Sequence, residues 1–271
     1  MYTAPQAPQA IGGVIDGAIE LFKASFRGCW IAALVYSGGL AIIGAWMQMN
    51  VTSALAAAGR TTPAAILASY QSPTLFWGYL LMLLVGIAFN LMIIVTILDV
   101  ARGREAGNAL SRFGSVLPML PGAVLAAIVM LLACAIGFIV LVIPGVYLIV
   151  RWILWTVALC DERRGAFAGL GTSWRLVGGN WWRTAIVLSV VGVITIVLAL
   201  VFGFVGGLIG AMLGVDATTR LIVMQGVNAL GQMLYVPAIT ATMVAIYLDL
   251  KLRKDGADLE ARVGALGTSQ A

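Results

Sequence analysis

Long apolar runs alternate along this chain with short polar links. The runs cover residues 29–49, 76–98, 117–143, 145–160, 184–213 and 221–248. A helix needs roughly 20 apolar residues to cross a bilayer. The pattern therefore predicts six transmembrane helices. The links between them carry a helical period. Asp16, Glu20, Lys23 and Arg27 fall on one face of a helix over residues 11–28, and Ile11, Ala18, Phe22 and Phe26 fall on the other. Phe167, Leu170, Trp174 and Val177 form a second apolar stripe, with Arg164 and Arg175 off it. A shorter amphipathic helix is predicted over residues 105–115, where Glu105, Asn108 and Arg112 oppose Ala109, Leu110 and Phe113. Such helices either lie at the headgroup level or pack on neighbouring protein. The fold class is all-α: one polytopic domain over residues 11–262, with disordered ends at 1–10 and 263–271.

Composition agrees with the pattern. Hydrophobic residues make up 62% of the 271 and charged residues only 10%, against about 25% charged in a typical soluble domain. No cleavable leader is expected, because the first ten residues carry no side-chain charge and an amphipathic stretch follows them. The charge distribution sets the topology. Lys23 and Arg27 precede the first span. Arg102, Arg104 and Arg112 follow the second. Arg163, Arg164, Arg175 and Arg183 follow the fourth, and Lys251, Arg253, Lys254 and Arg262 follow the sixth. The other links hold Arg60 and Arg220 alone. Cationic links resist translocation, so both termini are expected in the cytoplasm.

The same rule reads the stretch "VIPGVYLIVRW". Arg112 and Arg163 belong on one side, so an even number of crossings must separate them. Residues 117–160 suffice for two, joined by a turn at Pro144 and Gly145, where proline lacks an N–H and glycine tolerates positive φ. A proline kink in one long helix is the alternative. A repeat follows: "ILDVARGREAGNAL", "ALCDERRGAFAGL" and "IYLDLKLRKDGADL" each end an even-numbered span with an aspartate followed by cations. A carboxylate at a helix C-terminus is unfavourable. The pattern makes sense if each helix continues into the cytosol and forms the local pairs Asp99–Arg102, Asp161–Arg164 and Asp249–Arg253. The chain then reads as three tandem units of amphipathic helix plus two-span hairpin.

Candidate chemistry is sparse. Histidine is absent, which removes histidine-ligated metals and His-based acid–base or triad catalysis. Cys29, Cys134 and Cys160 lack metal or disulfide spacing. No phosphate-loop or dinucleotide motif occurs, so no cofactor, no nucleic-acid partner and no enzymatic activity is expected. Gly203, Gly206, Gly207 and Gly210 have small-xxx-small spacing for helix packing. Trp46, Trp77, Trp152, Trp155, Trp181 and Trp182 read as interfacial anchors. The polar exceptions inside spans are Arg151, Asn90, Gln225, Asn228 and Gln232, and Pro237 is expected to break the sixth span. Arg151 either snorkels as a structural residue or binds an anionic lipid headgroup or solute. The amides are either interhelical glue or line a polar pocket with Arg151.

Pro144-Gly145, Arg151-Trp152, Asp161, "TSWRLVGGNWWR" and "YLDLKLRKDGADLE" together resemble the membrane domain found beside some glycerophosphoryl diester phosphodiesterases, and the related six-span YciC-like inner-membrane proteins. The resemblance implies an all-helical bacterial inner-membrane protein of poorly defined role. It does not imply phosphodiesterase activity, which in that class falls to a separate histidine-bearing barrel. The expected function is a scaffold or accessory factor in envelope or lipid homeostasis. Its partners would be membrane lipids, anionic ones included, and a protein partner or further copies of itself. The alternative is a transporter or channel for a small or anionic solute, with Arg151 as its site.

Overall fold

The computed structural model describes residues 5, 7–59, 62–105 and 107–268. The described residues are helices and turns. Arg60 and the extreme ends of the chain, 1–4 and 269–271, lie outside them, so the expectation of disordered ends is not addressed there. Within the described residues Gln9 is held against the bundle, and the last helix runs to Thr268, beyond the expected limit at Arg262.

The first amphipathic helix and the first span are one helix, α1 (Ile11–Ala58). Its 48 residues rise about 72 Å at 1.5 Å per residue. No proline interrupts it, and Gly59 ends it in the left-handed conformation (φ 63°) that glycine adopts without penalty. Two capped starts follow. Thr62 accepts from the Ala65 N–H to begin α2 (Pro63–Tyr70), and Ser72 accepts from the Leu75 N–H to begin α3 (Pro73–Ala101). The amphipathic helix expected over 105–115 is shorter than its pattern. Asn108 caps a 3₁₀ turn (Ala109–Arg112), α4 (Phe113–Val116) follows, and a second 3₁₀ turn (Leu117–Met119) leads into α5 (Leu120–Val140). Gly107 and Asn108 favour a cap over helix continuation, and Pro118 lacks the N–H a regular helix would use.

The fourth apolar run is broken. It forms α6 (Val142–Trp152) and α7 (Trp155–Glu162), and the amphipathic α8 (Ala166–Val177) folds back along them. The last two helices are α9 (Trp181–Met212) and α10 (Ala217–Thr268), with Asp216 capping α10 through the N–H groups of Thr218 and Thr219. Pro237 lies inside an unbroken α10, contrary to the expected break.

Six helical stretches are long and apolar enough to cross a membrane: Ile11–Ala57, Pro73–Ala101, Ala109–Val140, Val142–Glu162, Trp181–Met212 and Ala217–Gly256. The chain is a multi-pass, all-α membrane protein. Its most extensive packing joins α1 to α10, α9 to α10 and α1 to α3. The buried core gathers toward one end of this bundle. Leu21 of α1, Leu91 to Leu98 of α3, Leu154 and Tyr247 meet there. The ion pairs found among the described residues gather at the same end, called the charged end below. Trp155 is buried in this core and is no interfacial anchor, whereas Trp77 and Trp182 are exposed.

The hairpin between α5 and α6 exists, but its turn is elsewhere than expected. Leu141 makes it, in extended conformation (φ −163°, ψ 151°). Pro144 sits in the first turn of α6, where a missing N–H costs nothing. Gly145 has ordinary helical geometry, not positive φ. It is needed for contact. A Cβ at Gly145 would lie 2.6 Å from Cγ of Phe138, and one at Gly137 would lie 3.1 Å from the Gly145 Cα. Two glycines face to face let the helices touch backbone to backbone. We expect Gly145→Val to lower stability by about 1–3 kcal/mol through overpacking. Gly192→Ala, where no atom lies within 4 Å of the new methyl, should be neutral or stabilising by up to about 1 kcal/mol. Thermal unfolding of the two variants in detergent checks the contrast.

Candidate functional site

Three aspartates organise the charged end. Asp249 of α10 accepts from Nε of Arg253 (3.0 Å) and pairs with Nη2 of Arg183 on α9 (3.0 Å). Its other oxygen accepts the Gln9 N–H (2.8 Å), just ahead of α1. Asp161 of α7 accepts from Lys251 Nζ and the Tyr247 hydroxyl, both at 2.8 Å, and pairs with Arg102 beyond α3. Asp99 of α3 pairs with Arg104 (3.1 Å) and with Arg112 of the 3₁₀ turn.

Of the local pairs expected from sequence, only Asp249–Arg253 forms. Arg102 goes to Asp161 rather than Asp99, and Arg164 is exposed, away from Asp161. The reason is that α3 and α7 end where their aspartates sit instead of running on. The helices stop at Ala101 and Glu162, so residues three or four further on have left the helical face. Each carboxylate therefore ties elements distant in sequence. All three carboxylates are largely buried, whereas Arg102, Arg104 and Lys251 remain substantially exposed, so solvent screens part of each pair.

Arg151 ends α6. Its guanidinium lies 4.0 Å from the Trp174 ring centroid and 5.6 Å from that of Tyr147. Gly178 leaves room for it: a Cβ there would meet Nη1 at 2.7 Å. Its Nε is buried without a hydrogen-bond partner. Around it Tyr147 stacks on Trp181, Trp152 lies against Trp174, and the Trp181 indole N–H donates to the Tyr147 carbonyl (3.3 Å). Cation–π contacts of this kind contribute about 0.5–2 kcal/mol each. Arg151 thus clamps α6 to α8.

The amides of α10 lie elsewhere. Asn228 donates to Met224 on its own helix and faces Gly203 of α9, and Gln225 faces Gly44 of α1. Gln232 is half-buried on α10 and Asn90 half-buried on α3. The structure does not bring Arg151 together with Asn228 and Gln232, so the expected polar pocket is not formed by these residues. Pro144 and Gly145 serve the hairpin, as described above.

Sequence reasoning missed two features. The first is Ser173, fully buried on α8. Its hydroxyl donates to the Arg151 carbonyl (2.8 Å) and accepts the Leu154 N–H (3.2 Å). It thereby satisfies the two backbone groups freed where α6 breaks into α7. The second is a polar basin of about 490 Å³ at the end of α3, lined by Leu98, Asp99, Arg102, Arg104, Arg112 and Arg163. Arg163 has positive φ (53°). Strain of that kind concentrates at functional positions. The sequence signal was present, since these arginines follow spans two and four, but topology alone accounted for them. An apolar groove of about 430 Å³ also opens between α1, α9 and α10, lined by Phe22, Ile194, Leu198 and Tyr235 among others.

No protein-family model, curated protein or solved structure matches the chain.

The role of Ser173 is directly testable. Ser173→Ala leaves a buried N–H and a buried carbonyl unpaired, and should lower stability by about 1–3 kcal/mol. Ser111→Ala, on an exposed turn where the hydroxyl bonds only the local Asn108 carbonyl, should change it by less than about 0.5 kcal/mol. Denaturation of both variants in one detergent provides the comparison.

Proposed function

We propose that this is a non-catalytic bacterial inner-membrane protein that holds phosphate-bearing lipid headgroups at its charged end. It would act there as a scaffold or accessory factor in envelope or lipid homeostasis, with both termini in the cytoplasm. The observation that carries the reading is the basin. Arg102, Arg104, Arg112 and Arg163 line a concavity with Asp99, and Asp99 and Asp161 offset only part of their charge. Such a site attracts anions, and arginine forks match phosphate oxygens. The basin lies where the apolar length of α3 ends, the depth at which headgroups sit. The apolar groove beside α1 supports the same reading, because it offers a surface suited to an acyl chain. Arg151 in this reading is a structural clamp, and the transporter reading loses the convergence of Arg151 with the α10 amides on which it depended.

Native mass spectrometry from nanodiscs tests the proposal. The protein should retain phosphatidylglycerol or cardiolipin over phosphatidylcholine. Arg104→Gln combined with Arg163→Gln should reduce that retention roughly tenfold, equivalent to about 1.4 kcal/mol. Equal retention of all lipids by the native chain overturns it. Displacement of the bound lipid by millimolar inorganic phosphate assigns the basin to a soluble anion instead. Solute flux in liposomes that Arg151→Gln abolishes without unfolding supports the transporter.

A further inference from the structure

Four helices share one register. Along α9 and α10, Gly206 faces Met224, Gly210 faces Arg220, Gly231 faces Phe202 and Arg183 meets Asp249. Gly44 of α1 faces Gln225, and Gln9 meets Asp249. Gly39 of α1 faces Val85 of α3. Arg183, Asp249 and Gln9 therefore mark one level at the charged end. From that level α9 runs apolar to Met212.

The α5–α6 hairpin is moored to the same level. Trp181, two residues before Arg183, donates its indole N–H to the Tyr147 carbonyl. Tyr147 is six residues from the turn at Leu141. Six helical residues rise about 9 Å, and a tryptophan side chain adds less than that again. The tip consequently stands within about 20 Å of the Arg183–Asp249 level, whereas a hydrocarbon core is about 30 Å thick. The rest of the fourth run agrees. Cys160 lies against the Leu91 carbonyl, two turns inside the Asp99 end of α3. Arg151 lies against Gly178, just ahead of α9. Asp161, next to Cys160, pairs with Arg102 and Lys251, so both Arg151 and Asp161 lie at the charged end and the chain between them does not cross the bundle.

The tip also cannot rest in water. No charged residue occurs from Phe113 to Val150. Ile139 is 84% exposed and Ile143 is 80% exposed, with Val140, Leu141 and Val142 exposed between them. Each such side chain left in water forgoes about 1.5–3 kcal/mol of burial.

We infer that α5 and α6 form a half-crossing hairpin embedded in the leaflet at the charged end, and that α1, α3, α9 and α10 alone traverse the bilayer. The occupant of the exposed tip is the acyl-chain layer of that one leaflet. Tyr147, Trp152, Trp174 and Trp181 lie at the foot of the hairpin, at the level where aromatic side chains anchor to an interface. A hairpin that goes in and comes back makes no net crossing. Arg112 and Arg163 remain on one side, as two full crossings would also require. The assignment needs no ligand in the arginine basin and stands or falls without one.

The test uses the full chain in nanodiscs with its three native cysteines replaced by alanine. Nitroxide pairs are placed at Leu141→Cys with Trp182→Cys, and at Leu141→Cys with Leu213→Cys. Electron–electron resonance then measures both separations. The 141–182 separation is expected to be the shorter of the two. Equal separations, or a shorter 141–213 separation, overturn the inference. Ile143→Cys replaces Leu141→Cys if the first variant does not fold. A membrane-impermeant maleimide gives an independent check on oriented vesicles. Labelling of Leu141→Cys from the side that labels Gly214→Cys overturns the half-crossing, and protection from that side upholds it.

Discussion

The carboxylate of Asp249 sets the geometry of the bundle. Two guanidiniums, from Arg183 and Arg253, and the Gln9 N–H converge on it, while the Gln9 carbonyl accepts from both arginines. Three separate parts of the chain are thereby fixed at one height. Apolar helices in lipid have little to choose between registers, because sliding by one turn exchanges one methyl surface for another. A largely buried ionic cluster does discriminate, since a slipped register strands a charge. The glycine contacts along α9 and α10 then follow from the register: Gly206 and Gly210 lie against Met224 and Arg220, and Gly231 makes room for the Phe202 ring. Asp161 and Asp99 play the same part for α7 and for the turn after α3.

Much of this was legible in the sequence. The apolar runs located every long helix, and the cationic links marked which ends belong together. The repeated aspartates pointed to the three residues that organise the charged end. Their partners were not legible. Sequence spacing offers Arg102 to Asp99 and Arg164 to Asp161, but that presumes helices continuing past Ala101 and Glu162. Whether a helix stops depends on what its last turn touches, and Asp161 touches Tyr247 and Lys251 from the far end of the chain. The Pro144-Gly145 pair misled in a related way. Both residues suit a turn, yet glycine also suits a close helix contact, and a local pattern cannot separate the two. The amides of α10 were grouped with Arg151 by presumed depth. That grouping assumed that α6 climbs from its turn straight down through the membrane, and the mooring of Tyr147 to Trp181 removes the assumption.

Ser173 shows why a broken span is stable here. A gap in a helix inside an apolar medium leaves backbone groups that must find partners. One hydroxyl serves both the Arg151 carbonyl and the Leu154 N–H, and the same helix presents Trp174 to the Arg151 guanidinium. The Ser-Trp pair therefore secures the break twice, once through the backbone and once through the side chain that the break redirects. Nothing in the periodicity of α8 sets Ser173 apart from any other small residue on its buried face.

Charge bias along a sequence reports the parity of crossings, not their number. Zero and two crossings between Arg112 and Arg163 satisfy it equally, and hydropathy adds only that the intervening residues avoid water. Three-dimensional register supplies the missing term, because it gives a height for Tyr147 independent of the hairpin's own composition. Once that height is fixed at the charged end, the broken fourth run, the aromatic foot and the arginine basin all fall in one leaflet. The opposite end of the bundle holds short capped links, with Asp216 and Arg220 at the start of α10. An asymmetry of this kind suits a protein that engages the lipids of one leaflet, and it offers no reason for a polar path through to the other.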